Sequence, residues 1–234
     1  MTAPRRVDPE WLDVLSATDP RALRSRRDLK LINAWMLQTG IMARGLRDQF
    51  VDQPPRTIID LGAGDGTFML SVARRLAPRW TNIAVTLLDR QDIVSEATLA
   101  AFRGLQWRPE TIAMDAIDFL ECSTDACAVT ANLFLHHFER DQLQHLLAGI
   151  ARIAQAFIAC EPRRASLSLL ASKMLWALGC NDVSRHDAAV SVRAGFAGCE
   201  LTGHWPDPAR WVLYENSAWL FTHLFVARRK AVPQ

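Results

Sequence analysis

The chain has 234 residues, half of them apolar, which suits one large domain, or one domain with a cap, around a sizeable core. A formal net charge of only +2 supplies no overall field for nucleic acid, and no 18-residue apolar run exists to span a membrane. The cations are almost all Arg, with Lys only at positions 30, 173 and 230, a bias that fits genome base composition better than an RNA site.

Cys122, Cys127, Cys160, Cys180 and Cys199 contain no C-x-x-C pair and are odd in number, which fits small core residues in a thiol-reduced compartment. With no N-terminal apolar h-region, the expected location is the cytoplasm. Residues 1 to about 50 precede the first strand. Pro4-Arg5-Arg6 reads as disordered, and Pro9 to Leu15 as a short helix ended by Asp19-Pro20. From Arg21 to Gln49 the spacing of Leu23, Leu31, Trp35, Leu37, Met42 and Leu46 predicts one or two helices, broken near Gly40. Residues 1–50 are therefore expected to form a helical cap, and 51–234 the main domain.

The chain is organised around Thr57 to Phe68, TIIDLGAGDGTF. Ile58 and Ile59 read as a buried parallel strand that stops at Asp60; Gly62, Gly64 and Gly66 follow, and then a helical pattern from Phe68 to Leu76. Strand, glycine turn and helix open a nucleotide-binding unit, because glycine takes positive φ and leaves backbone open to a ligand. The spacing is not the G-x-G-x-x-G of a dinucleotide site, since Thr67 stands where a small third residue is wanted. It is acidic-x-G-x-G-x-G, and this resembles the first motif of class I S-adenosylmethionine (SAM) methyltransferases.

The resemblance, which covers about Arg56 to Arg229, implies an α/β fold. This is a Rossmann-like, doubly wound seven-stranded sheet of order 3-2-1-4-5-7-6, with SAM as cofactor and S-adenosylhomocysteine (SAH) as product. It implies that Asp60 meets the cofactor's amino group, directly or through water, and that the backbone of Gly62, Ala63, Gly64 and Gly66 runs along its methionine and ribose parts. It also implies that the N-terminal helices fold over the cofactor mouth, which makes Asn33, Trp35 and Met36 candidate substrate-pocket residues.

Past the loop, strand and helix alternate, as in a parallel sheet. Ile83 to Leu88 is the second strand and ends in Asp89-Arg90, where a carboxylate is placed to accept from both hydroxyls of a ribose; an acid at a helix start is the other reading. Asp92 to Arg103 is the next helix. Gln106 to Ala113 is a third strand that Pro109 confines to an edge, in independent agreement with the sheet order above. Met114-Asp115-Ala116 stands where the resemblance implies adenine contacts, and Asp115 is equally placed to cap the helix Ile117 to Glu121.

Ala128 to Phe134 is the fourth strand. The resemblance puts its exit, from Asn132 and Leu133 to His137, opposite the reacting methyl. Asn132-Leu-Phe-Leu is not the Asn/Asp-Pro-Pro-Tyr/Phe of adenine and glutamine N-methyltransferases, and no acidic cluster of the magnesium-binding, catechol type is present. Instead there are His136 and His137, whose ordinary pKa near ~6.5 suits taking a proton from a phenol or enol. Packing or capping is the alternative for one of them.

Glu139 to Ile153 reads as an amphipathic helix and Ala156 to Cys160 as the fifth strand, followed by Glu161-Pro162-Arg163-Arg164. Arg163 and Arg164 are candidates for a substrate carboxylate or enolate, or else begin a solvated helix. Ser166 to Leu178 is an apolar helix. Gly179 to Asp187 then breaks the pattern before a helix from Ala188 to Gly195, so that about 165–190 reads as a second piece of the cap. It brings Arg185 as a substrate candidate and His186, beside Asp187, as a rival base; Cys180 and His186 give no complete metal set, and no metal is expected. Glu200 to Trp205, a break at Pro206 and Pro208, and two further strand-like runs, Trp211 to Glu215 and Leu220 to Ala227, make an antiparallel ending.

The expected function is metal-independent O-methylation of a small, partly apolar phenolic or polyketide-type metabolite, by a monomer or homodimer without nucleic-acid partners. C- or N-methylation of a metabolite, methylation of RNA or protein, and a non-catalytic SAM-binding subunit are the alternatives.

Overall fold

The computed structural model describes residues 4–16 and 18–231, apart from the side chains of Trp35 and Leu178. Its centre is a seven-stranded sheet of β1 (Thr57–Leu61), β2 (Ala84–Asp89), β3 (Arg108–Ala113), β4 (Ala126–Asn132), β5 (Ala154–Pro162), β6 (Trp211–Ser217) and β7 (Thr222–Arg229). The order is β3-β2-β1-β4-β5-β7-β6, as expected; β7 alone runs antiparallel to β5, and β6 antiparallel to β7. Pro109 lies on the edge strand, paired only toward β2.

Strand side chains alternate between two cores, as a two-sided sheet requires. Ile58, Val85, Ala128 and Ile158 face one side, packed under α3 (Gln38–Gln49), α4 (Thr67–Leu76) and α5 (Glu96–Gly104). Ile59, Leu88, Val129 and Phe157 face the other, under α6 (Ala116–Cys122) and α7 (Arg140–Ile153). Outside these layers, α1 (Trp11–Val14) and α2 (Pro20–Trp35) pack on α9 (Asp182–Ala194), which also meets α8 (Ser166–Lys173). The first 50 residues thus divide: α1 and α2 join the cap, and α3 packs on α4 and β5.

Four local expectations are corrected. Residues Pro4 to Arg6 are held, because Arg5 donates to the carbonyls of Ala194, His136 and Phe138 and lies over the Phe196 ring at 4.8 Å. The helical break falls at Leu37, with φ of 54°, and Gly40 sits inside α3. Helix α9 begins at Asp182, not Ala188, because Asn181 caps it by accepting from Ser184 N at 2.8 Å and is itself anchored to Asp28. Glu200 to His204 is α10, whose first-turn N–H groups on Leu201 and Thr202 have no acceptor within the helix and donate to the Glu215 carboxylate reaching over from β6. Among the described residues no helix is long and apolar enough to cross a membrane.

Candidate active site

At the carboxyl ends of the parallel strands lies a cavity of about 810 Å³, the usual ligand position in such sheets. Strand β1 delivers Asp60 to its floor, and the chain then turns through Gly62, Gly64 and Gly66 with φ of 68°, 55° and 72°. The glycines do different work. A Cβ on Gly62 would sit 2.3 Å from Phe134 Cδ2, so this glycine admits the Phe134 ring, whereas one on Gly64 would meet no protein atom and would project into open space. Gly62→Ala, strained in φ and overpacked, should lower unfolding free energy by about 2–4 kcal/mol in denaturant titration. Gly66 does not line the cavity; its bare face is turned to Leu87 and Thr98, where it seats α4 against the sheet.

Asp60 is 2% exposed and accepts from Thr130 Oγ1 at 2.7 Å. Burial pushes its carboxyl up to about 7, with the nearby Asp89 charge adding to the rise and the Thr130 hydroxyl opposing it. Asp89, at the end of β2, accepts from Gly64 N at 2.8 Å and Gln91 N at 2.9 Å, and so ties the glycine loop to the second strand. Asp115 caps α6 by accepting from Ile117 N at 2.8 Å. Asp89, Arg90, Met114, Asp115, Ala116, Asn132 and Leu133 all line the cavity with Asp60, Gly62, Ala63 and Gly64. Asn132 donates to Asn33 Oδ1 at 3.3 Å, while its own buried Oδ1 has no partner among the described residues. From α2, Lys30 reaches Asp65 in the glycine loop at 2.9 Å and Arg26 reaches Gln91 at 3.0 Å, so this helix is strapped along the cavity mouth.

The two histidines have unlike surroundings. His136, 2% exposed, donates from Nδ1 to Glu161 Oε2 at 2.8 Å and from Nε2 to Glu10 Oε1 at 3.3 Å. Burial opposes its charge, but the hydrogen bonds and charges of the two carboxylates outweigh that and raise its pKa; burial likewise opposes charge on Glu10, and the bond to His136 lowers it. His136 is therefore an imidazolium with both N–H groups in use, and not a free base. Glu161, fully buried, also accepts from Phe134 N at 3.0 Å and Leu135 N at 2.8 Å, which fixes the turn after β4. His137, at the cavity wall with 28% of its side chain exposed, places Nδ1 3.3 Å from Asp13 Oδ2. An imidazole that carries its proton at Nδ1, toward that carboxylate, accepts at Nε2.

Donor atoms of Glu10, His136 and His137 lie within 4.8 Å of one another, a cluster with the ligand types of a cation site that the sequence did not announce. Its one carboxylate, Glu10, answers the imidazolium charge together with Glu161 from β5, and it attaches the N-terminal segment to the turn after β4.

Other expected residues lie elsewhere. His186 is stacked on Trp11 at 3.9 Å and bonded to Asp187, whose carboxylate accepts from Trp11 N and Leu12 N; the pair anchors α1 and does not line the cavity. Arg164 is turned inward, paired with Glu200 and donating to Gly195 O at 2.6 Å, and Arg163 continues the sheet edge beside Phe196. Arg185 is exposed and donates to Asn181 O. Met36 lines a second cavity, described below, and the Trp35 side chain lies outside the described residues. Conversely, Glu10, Asp13, Lys30 and Glu161 were not singled out. Only Glu161 carried a local signal, as an acid ending a buried strand run.

Residues 58–156 match the family model described as a methyltransferase domain. No curated protein matches the chain in sequence. Among solved structures, an O-methyltransferase family protein from Burkholderia thailandensis is 19% identical with a TM-score of 0.63, covering 92% of this chain and 61% of that one. The plantazolicin methyltransferase BpumL in complex with SAH is 12% identical with a TM-score of 0.63, covering 91% of this chain and 92% of that one. The mitomycin 7-O-methyltransferase MmcR is 18% identical with a TM-score of 0.60, covering 94% of this chain and 60% of that one. The chain thus spans about three-fifths of the first and third of these proteins, and at such identities the likeness is one of fold.

Proposed function

From a chain that carries a class I methyltransferase domain, and so is an enzyme with SAM as cofactor, we propose methyl transfer to the hydroxyl of a small, partly apolar acceptor of phenolic or polyketide type. The observation that carries this reading is the pairing of His137 with Asp13 at the wall of the cavity that Asp60 and the glycine loop floor.

The residues present fit the cofactor. Among the described residues, Gly64 offers bare backbone to open space, Asp60 a buried carboxylate with one hydroxyl partner, and Asn132 an unpartnered buried acceptor. In this reading Asp60 holds the amino group, Asp89 the ribose hydroxyls, and Met114, Asp115 and Ala116 the adenine. Gly62, Ala63 and Gly64 supply backbone, Arg90 and Leu133 flank it, and Gly66 acts only by seating α4. SAM supplies an electrophilic methyl on a sulfonium. The chain's part is to align the acceptor and exclude water, with His137 taking the hydroxyl proton at Nε2 while Asp13 stabilises the imidazolium that results. Asp89→Ala should weaken SAM by roughly 1.5–3 kcal/mol in calorimetry; unchanged affinity would remove Asp89 from the ribose.

An amine acceptor is the second reading, and the cavity wall favours it. Asp8, Glu10, Asp13, Asp60, Asp65, Asp89, Asp115 and Glu139 line it against Arg26, Lys30, Arg90 and the His136 imidazolium. With Arg163 and Arg164 turned elsewhere, an anionic acceptor is disfavoured. A cytoplasmic monomer or homodimer completes the reading, with five free cysteines in keeping.

The test is transfer of label from methyl-labelled SAM to a panel of phenols, hydroxypyrones, hydroxylated aromatic acids and aromatic amines, with bulk tRNA and protein alongside. Label in a neutral phenol or pyrone, on oxygen by mass fragmentation, is expected. Label in amines alone would replace oxygen with nitrogen, and label in tRNA or protein alone would overturn the acceptor class.

A further inference from the structure

Beside the main cavity lies a second one of about 110 Å³, bordered by α2, α8 and α9 and open to solvent at Leu31. The two are continuous in their walls: Glu10, Leu12, Leu29, Leu133 and Ser191 line both. Its surface is mostly hydrocarbon, from Ile32, Met36, Leu175, Val192 and Phe221 among others. Among the polar residues of the wall, Glu10, Ser25, Ser172, Ser184, Asp187 and Ser191 have hydrogen-bond partners, and one residue differs. Ser168, 3% exposed, has a buried hydroxyl without a hydrogen-bond partner among the described residues, although its neighbour Ser172 returns its own hydroxyl to Leu169 O. A buried hydroxyl left unpaired is costly, and native interiors rarely tolerate one without a ligand or water to meet it.

We infer that this second cavity is the binding site for an apolar arm of the methyl acceptor, short and carrying one carbonyl or hydroxyl that pairs with Ser168. The inference rests on the methyl-acceptor reading above and specifies which acceptors satisfy it. Size sets the arm. An apolar cavity of about 150 Å³ admits benzene, so one of about 110 Å³ takes an aliphatic chain of about four carbons and not a fused ring. Position sets the direction. Glu10 and Ser191 stand at the shared wall beside His136, and His137 lies on the main-cavity side, so an acceptor with its hydroxyl at His137 points its substituent across Leu12 and Leu133. The headgroup is methylated in one cavity while the arm is measured in the other.

The test uses para-n-alkylphenols from methyl to octyl, and butanoylphenol (4-hydroxybutyrophenone) as the carbonyl-bearing member, in two readouts. One is calorimetric binding to the SAH-loaded enzyme; the other is turnover with SAM. Affinity should rise about three- to fourfold per methylene up to about butyl and then level or fall. The butanoyl compound should lose about five- to tenfold in Ser168→Ala, while butylphenol is unaffected. Ala171→Leu, which fills the cavity from α8, should abolish the chain-length preference with SAM affinity intact. Chain-length-dependent binding without methylation of any phenol would keep the arm site and overturn the phenolic acceptor. Methylation or binding indifferent to chain length, or no binding of any member, would overturn the arm site.

Discussion

His137→Ala is expected to lower kcat by about 10²–10⁴-fold at neutral pH with SAM affinity unchanged, the range over which a positioned acid–base group contributes. His136 has the deeper position, but each of its nitrogens already donates to a carboxylate, and those carboxylates hold its proton in place. His137 lines the cavity and has one nitrogen 3.3 Å from Asp13, and no hydrogen bond to either of its ring nitrogens occurs among the described residues. Asp13→Asn should accordingly lose part of the same factor. His136→Ala should behave differently: it strands Glu10 and Glu161 as buried charges, at a cost of about 3–5 kcal/mol, so its activity should fall together with its Tm. A His137→Ala enzyme of full kcat would remove the imidazole from the chemistry.

Asp60→Asn is expected to weaken SAM by two to three orders of magnitude, because the amide keeps the Thr130 contact but removes the charge that answers a buried ammonium. The same residue makes affinity depend on pH. Its folded pKa, raised to about 7, exceeds the usual carboxylate value, so the SAM-free fold holds a proton that the unfolded chain releases between about pH 4 and 7. Its contribution to stability thus falls as pH rises through that window. Binding a cation at Asp60 requires the proton to leave. SAM affinity should climb about tenfold per pH unit below about 7 and level above it, and calorimetry in buffers of different ionisation enthalpy should register the released proton. In Asp60→Asn the slope should vanish. A wild-type affinity independent of pH from 5.5 to 7 would contradict a buried carboxylate at the amino group.

What was legible in the sequence is what local chemistry determines. The glycine loop after Ile58-Ile59-Asp60, the edge position of Pro109 and the capping by Asp115 each follow from a few neighbouring residues, and the structure has all three. The seven-strand order followed from the resemblance those residues carry. The roles of the histidines were not legible, because they depend on Glu10, 126 residues away from His136, and on Asp13, which approach only when the N-terminal segment folds back. The same holds for Arg5, read as disordered, whose carbonyl partners are more than 130 residues distant in chain. Arg164 was misread because its partner, Glu200, lies in a segment expected to extend and not to form a helix. The second cavity combines faces of α2, α8 and α9, and no single stretch of sequence contains its outline.

In the proposed complex the amino end of the cofactor lies at Asp60, its ribose at Asp89, and its transferable methyl toward the turn that carries His137. A crystal structure with SAH and an alkylphenol bound tests all three together. The expected result is the homocysteine ammonium within hydrogen-bond reach of Asp60, the ribose hydroxyls on Asp89, and the phenol oxygen between the sulfur and His137 Nε2. A sulfur directed away from His137, or a phenol oxygen on a group other than that imidazole, would contradict it.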